Sequence, residues 1–527
     1  MKQMYKYLLV SFVLLFALSC EDMEKMNIDP DYPAEVPSNM VFSGAQKKAM
    51  DYVYDNWFSG RQCLVYSQYW AQRNYTEEDR YQIRESVNNN YFNHFYTILA
   101  SFDDVIRLNT DPEKAVVSSA YGANANQIAA SMIMKVWLYS VMTDTWGDIP
   151  YSEAGKLKEG IYYPKYDDQK EIYAALIGQL TEAAAMIDES DVAFTGGDMV
   201  YGGDASAWKK FANSLKCRLA LHTSKVDATW KTHIAQALAD GVFTSNADVA
   251  AYHYSSTAPE YSYFYSGYYI EARNDFTITR TLVDILKGQR DTLNNKTHPW
   301  EGALDPRLTV YTTPGPDNTY VGMPYGVPTA SSSRFRGGAP NWYANPPLHL
   351  NPDYPVPLMT YAEILFIRSE YNGFSAAEYE AGVKASVDYW TTLAGEPSDA
   401  ADYLEAVKQA GANAETVALQ KYIDFFNNGT EAWTEIRRTG YPDQLIRPGE
   451  ITVAGSETVN GVDIRFEPLS DTKGMIIARV KYPTNESTLN GNNFNEAVAR
   501  LDDGTNNYYT HMFWDVRSTG DPHPANK

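Results

Sequence analysis

From about residue 38 the apolar positions recur every three or four residues, the period of a helix with one buried face. Residues 38–57 and 88–108 run on without proline. Over 124–145, Ile128, Met132, Val136, Tyr139 and Thr143 share one side. Residues 168–188 open with Asp168 and Glu171 at capping-box spacing, and Ile172, Leu176, Leu180, Ala184 and Ile187 follow on one face. Residues 206–224 start at Ser206 and present Trp208, Phe211, Leu215 and Leu219, with Lys209, Lys210 and Lys216 outside or at the edge. Thr360 and Glu363 form a second capping box for 360–372, and further helices are expected over 376–394, 402–411 and 413–438. Helices of this length with short connections suit stacked hairpins, where each pair buries its face only against a neighbour. No repeated signature string accompanies them, and the pattern predicts a mostly α fold.

Three stretches break the helical period. Residues 250–276 and 297–357 are rich in Pro, Gly, Tyr, Asn and Ser, and 440–512 mixes Gly, Asn and Pro with β-like runs such as 475–480. Loops of this length inside a compact unit tend to carry function, so they read as insertions on a helical domain spanning 38–527. The N-terminus is a separate matter. Lys2 and Lys6 precede an uncharged apolar run over 7–18, too short to cross a bilayer, which ends in Ala17-Leu18-Ser19-Cys20. Residues 1–19 read as a signal peptide whose removal leaves Cys20 as the lipid-bearing first residue, although Ala17 stands where a large aliphatic residue is usual. Residues 20–37, with Asp29-Pro30 and Tyr32-Pro33, read as a solvated tether.

Charge and composition narrow the function. The 44 basic and 66 acidic side chains leave a net charge of −22, which excludes nucleic acid as a partner. Apart from Cys20, only Cys63 and Cys217 remain, leaving open one bridge or two buried thiols. There is no HExxH, phosphate-binding loop, GxSxG or CxxC pattern, and the eight His are scattered. The expectation is therefore a non-enzyme with no metal and no cofactor. The 41 Tyr and 11 Trp stand out, because such rings offer a flat apolar face with a polar tip at small rotamer cost. Tyr261, Tyr263 and Tyr265 would share one side of an extended segment, followed by Arg273 and Asn274. A loop this aromatic either buries itself or presents a binding face. Arg334, Trp342 and Tyr343, flanking Gly337-Gly338, form a second candidate, open to the same two readings. Trp70, Arg73, Asn74 and Tyr75, at the end of a predicted helix, form a third.

An ordered set of strings then resembles a known family. They are Asn27-Ile28-Asp29-Pro30 after Cys20, Asp144-Thr145-Trp146-Gly147-Asp148-Ile149-Pro150-Tyr151, Pro164-Lys165-Tyr166-Asp167, Tyr201-Gly202-Gly203-Asp204 and Trp208-Lys209-Lys210-Phe211. Arg273-Asn274-Asp275-Phe276, Asp305-Pro306-Arg307-Leu308, Met359-Thr360-Tyr361-Ala362-Glu363, residues 429–442 and Tyr482-Pro483 continue the series. Together they resemble the SusD/RagB nutrient-binding outer-membrane lipoproteins, in the second, SusD-like branch. The resemblance implies about four tetratricopeptide-like helix pairs with the ligand site on long loops. It implies a lipid anchor on the outer membrane, facing outward, and docking onto a SusC-like TonB-dependent transporter. The ligand implied is an oligosaccharide, with a peptide as the alternative; a structural adhesin or a surface hydrolase is the reading outside this class. The family supplies no fixed ligand motif, so the candidate residues above rest on their own chemistry. Trp146-Gly147-Asp148 reads as scaffold, a tight turn with the indole packed inside.

Overall fold

The computed structural model describes residues 36–315, 318–332, 335, 348–396, 400–458 and 461–517. Six long helices form the first part of the stack: α1 (Ser38–Val53), α2 (Glu85–Thr110), α3 (Asn124–Trp146), α4 (Gln169–Met186), α5 (Ala205–His222) and α6 (Trp230–Asp240). Each packs on its predecessor. Five more close the stack: α7 (Tyr361–Tyr371), α8 (Ala376–Leu393), α9 (Ala401–Ala410), α10 (Ala414–Asp424) and α11 (Gly429–Thr439). The two groups join where α7 meets α5 and α11 meets α3. This is the expected helical architecture of hairpins, and α3 is its axis. That helix touches α1, α2, α4, α5 and α11, so it buries far more than the single face its periodicity suggested. Ile128 and Met132 are only half-buried, while Ala129, Ile133, Met134 and Trp137 are enclosed on the other sides.

Local chemistry sets the ends. Gly147, at φ 85°, stops α3, and its N–H returns to the Thr143 carbonyl at 2.8 Å. Trp146 is fully buried, as the turn reading required. The α5 cap is Asp204, which accepts from the Ala207 N–H at 3.1 Å, so the helix begins a residue before Ser206. Lys216 on that helix is fully buried rather than at an edge, with Nζ donating to Gln236 Oε1 at 3.1 Å. The helix expected over 413–438 is two helices. Asn427 adopts φ 65°, and the Asn428 side chain then caps α11; asparagine tolerates both roles. Neither capping box closes fully. Asp168 accepts from Lys170 N–H at 2.8 Å, and Thr360 Oγ1 from Glu363 N–H at 3.1 Å. The Glu363 carboxylate does not return to its cap, because Arg218 holds both of its oxygens at 2.6 Å.

Short antiparallel ribbons pin the long connections. In chain order the strands are β1 (Trp70–Gln72), β2 (Ile149–Pro150), β3 (Tyr166–Asp167), β4 (Ala250–His253), β5 (Phe276–Ile278), β6 (Pro355–Met359), β7 (Ile451–Val453) and β8 (Ile464–Arg465). They pair as β1–β5, β2–β3, β4–β6 and β7–β8. The 475–480 run forms no strand. It threads the core as buried irregular chain, and Trp433 Nε1 and the Arg437 guanidinium satisfy its carbonyls at Ile477 and Ala478. Cys63 and Cys217 are both free and buried, and burial pushes each thiol up to about 12. Among the described residues, no helix is long and apolar enough to cross a membrane.

Candidate functional site

The site grows from the break after α1. The chain leaves the helix at Tyr54, and the Asp55 carboxylate turns it by accepting the N–H groups of Trp57 at 3.0 Å and Phe58 at 2.6 Å. Tyr91 on α2 donates its hydroxyl to the other Asp55 oxygen. Burial pushes the Asp55 carboxyl well above its ordinary range, against those N–H bonds. This turn floors an open cleft of about 600 Å³, lined by Asp51, Tyr52, Asp55, Trp57, Asn90 and Tyr263 among others. Ser262 caps the segment that supplies Tyr263, accepting from the Tyr265 N–H at 3.3 Å. The chain then winds helically through 263–270. Gly267 is required there, since a Cβ would lie 1.5 Å from Asn56 Nδ2.

That winding corrects the extended reading of 261–265. Tyr261 and Tyr265 meet at 5.0 Å between ring centroids, and Tyr265 meets Tyr269 at 5.0 Å, so the outer face is a ladder at helical spacing. Tyr263 turns instead into the cleft, where burial raises its phenol. Tyr52, opposite, has one face already stacked on His94 at 4.6 Å.

A cationic wall flanks the cleft. Around the Trp57 ring stand Arg61 at 4.6 Å, Arg273 at 5.4 Å and Arg84 at 6.0 Å. Arg61, buried, bridges Glu78 and Asp275, each at 3.2 Å. Arg273 reaches Asp275 at 3.1 Å and Arg84 reaches Glu78 at 2.6 Å. Arg73 donates its backbone N–H to the Asp275 carbonyl, and Asn74 Nδ2 reaches the Asp275 carboxylate at 3.5 Å. The β1–β5 pairing therefore brings Arg73 and Asn74 beside Arg273, Asn274 and Asp275.

The candidates separate accordingly. Trp70 is a strand residue, not a helix end, and is 1% exposed; its indole packs on Phe264 and Phe276 at 5.3 and 5.1 Å, so it presents no open face. Tyr75 is 57% exposed, at φ 56°, beyond the strand. Arg334, Trp342 and Tyr343 lie outside the described residues, as does Cys20. Sequence reasoning passed over Asp51, Tyr52, Asp55 and Trp57. Their signal is the acid-aromatic run over 51–57, inside the helix expected over 38–57.

Among the described residues, one buried cluster has the donor set of a metal centre: His222, Glu431 and Glu435, with donor atoms within 4.8 Å of one another. Its charges are already balanced. His222 Nε2 meets Glu431 at 2.9 Å, Glu431 faces Arg218 at 3.4 Å, and Glu435 meets Lys421 at 2.8 Å and Arg438 at 2.6 Å. A divalent cation would be forced against three resident cations, so the cluster is an ion-pair knot. The arrangement at the cleft is suited to holding a ligand: aromatic faces beside fixed acceptors and donors.

Fold and cleft together define a helical-hairpin scaffold with an aromatic-lined cleft among its connecting loops. The family model SusD-like_2, described as starch-binding associating with outer membrane, matches residues 30–457, and the chain belongs to that SusD-like family. Solved structures share the fold. A chitin-binding SusD homolog from Flavobacterium johnsoniae is 23% identical, with TM-score 0.68, over 91% of this chain and 99% of that one. A SusD homolog from Parabacteroides distasonis is 21% identical, with TM-score 0.71, over 91% and 98%. Another structure, described as a chitin-binding protein, is 24% identical, with TM-score 0.66, over 91% and 100%. No curated protein matches the sequence.

Proposed function

We propose that this protein captures oligosaccharides in the Tyr263 cleft and delivers them to a SusC-like TonB-dependent outer-membrane transporter, without chemically altering them. The observation that carries the reading is the cleft itself, where Tyr263 and Tyr52 share one open space with Asp51 and Asn90. Pyranose rings stack on such aromatic faces, and their hydroxyls need this mixture of acceptors and donors. The family description and the two chitin-binding structures of the same fold support the ligand class. Arg273, Asn74 and Asn274 extend the polar rim, and the Tyr261–Tyr265–Tyr269 ladder offers a second aromatic strip for a longer chain. Trp57 serves as a support, since arginines already crowd its ring. A lipid on Cys20 would hold the protein at the outer membrane, facing outward.

The test is calorimetric titration of the chain lacking residues 1–20 with maltooligosaccharides, chitooligosaccharides and a mixed-peptide control. The expected result is saturable binding of a glycan, weakened about tenfold or more by Tyr263→Ala, which is about 1.4 kcal/mol. Tyr75→Ala serves as the comparison and leaves it within about twofold. Binding to peptides alone moves the assignment to peptide uptake. Glycan binding indifferent to Tyr263→Ala removes the cleft from it.

A further inference from the structure

A separate cavity lies between the short helix Arg280–Leu286, the 289–293 turn and the 444–452 segment. It is small, about 40 Å³, room for roughly three waters at ~10–15 Å³ each. Its walls are largely apolar, with Ile285, Leu293, Pro324, Ile446 and Ile451 among them. Most of its polar groups are already committed. Arg280 makes a bidentate pair with Glu457, both contacts at 3.0 Å. Asp291 accepts from the Leu293 and Asn294 N–H groups at 2.9 and 3.2 Å.

Among the groups left over are three that can accept a hydrogen bond: Gln444 Oε1, the Asp284 carboxylate and the buried, unsatisfied Tyr325 hydroxyl. Gln444 is 4% exposed and spends its Nε2 on the Thr297 carbonyl at 2.7 Å, which leaves Oε1 buried and unsatisfied. Asp284 lines the same cavity, and its carboxyl has no hydrogen-bond or ion-pair partner among the described residues. A buried acceptor without a donor is costly, and the Asp284 carboxylate, half-buried beside apolar walls, is best met by a donor of opposite charge. What completes this cavity is therefore a donor with positive charge, small, on a stem that tolerates aliphatic walls.

We propose that the cavity is a binding site for a small organic ammonium ion, whose N–H groups meet the Asp284 carboxylate and Gln444 Oε1 while its stem lies against Ile285, Leu293 and Ile446. The site is independent of the glycan cleft. A bare metal cation fits less well, because the walls offer hydrocarbon where a hydrated ion needs oxygen. The charged groups facing Asp284 are Arg280 on its own helix, Lys287 just past the helix end and Asp291 on the adjoining turn. Arg280 is held by Glu457, and Lys287 reaches the Tyr320 carbonyl at 3.4 Å. Burial pushes the Asp284 carboxyl up to about 6, so ammonium binding is present at pH 7–8 and is lost as pH falls through that value.

The probes are n-propylammonium and Nα-acetyl-lysine amide, with 1-propanol as the neutral control, titrated at pH 7.5 and followed by saturation-transfer NMR and calorimetry. The expected result is saturable binding of at least one ammonium probe, at least about tenfold weaker in Asp284→Asn and blocked by Leu293→Trp at the mouth. Propylammonium binding assigns a free amine, and binding of the lysine amide alone assigns a peptide-borne one. If Asp284→Asn does not fold, Leu293→Trp decides. No saturable binding of either probe, equal binding of propanol, or affinity unchanged in the Asp284→Asn or Leu293→Trp protein overturns the proposal.

Discussion

Arg307→Leu is expected to remove about 3–5 kcal/mol of stability, the cost of breaking one side of a buried ion pair. Arg307 is completely enclosed. Its Nε and Nη2 take the two Asp305 oxygens at 3.0 and 2.7 Å, Nη1 takes Ser386 Oγ at 2.7 Å, and Nη2 also meets Gln420 Oε1 at 2.9 Å and Tyr403 OH at 3.1 Å. One guanidinium thus ties the 305–311 segment to α8, α9 and α10. Leucine would fill some of the volume but strand Asp305, equally enclosed, with its charge unpaired. Arg307→Lys keeps the charge and loses the fork, so most of the loss should remain. Asp305→Leu combined with Arg307→Leu should recover part of it, because no buried charge is then left over. The urea midpoint at constant slope reads all three. A shift under about 1 kcal/mol for Arg307→Leu would show that the network does not hold the segment.

Much of this scaffold could be read from the sequence because its signals are local. Trp146-Gly147 states its own turn: only a residue free to adopt positive φ ends α3 there, and the indole before it has nowhere to go but inward. The heptad-like apolar spacing of 168–188 needs no partner to be recognised. The cleft was less legible for three separate reasons. Tyr261, Tyr263 and Tyr265 fit a period of two, but Tyr261, Tyr265 and Tyr269 fit a period of four equally well; the Ser262 cap decides between them. Trp57 sat inside an apparent helix that in fact ends at Val53, because Asp55 draws the N–H groups of Trp57 and Phe58 onto its side chain. Finally, Asp275 meets Arg61 across 214 residues, and Arg218 meets Glu363 across 145. Nothing local foretells such pairs, since a charged residue on a helical period reads as solvated until a partner is in view.

The last of these long-range assemblies makes stability pH-dependent in two opposite senses. Glu435, in the knot around His222, is held well below its ordinary range by Arg438 and Lys421, which outweigh the cost of burial. A carboxyl depressed in the folded state contributes stability that is present above its unfolded value, about 4.3, and is lost as pH falls through the folded value. His222 moves the other way. Burial alone would lower it, but Glu431 at 2.9 Å, with Asp144 and Glu435 at 3.8 and 3.9 Å, raises it. Its contribution is complete below about 6.5 and fades as pH rises through the raised value. The knot is therefore strongest in mild acid. Glu435→Gln should cost about 3–5 kcal/mol near pH 6, by leaving Arg438 and Lys421 to share Glu370 alone. That deficit should shrink as the pH falls below about 4, because the wild-type carboxyl is then being protonated too. His222→Gln should show its deficit near pH 5–6 and lose it in base. Urea midpoints of both variants and the wild type between pH 3.5 and pH 9 decide the matter. Deficits that stay constant across that range would mean that packing around these side chains, not their charge, sets the effect.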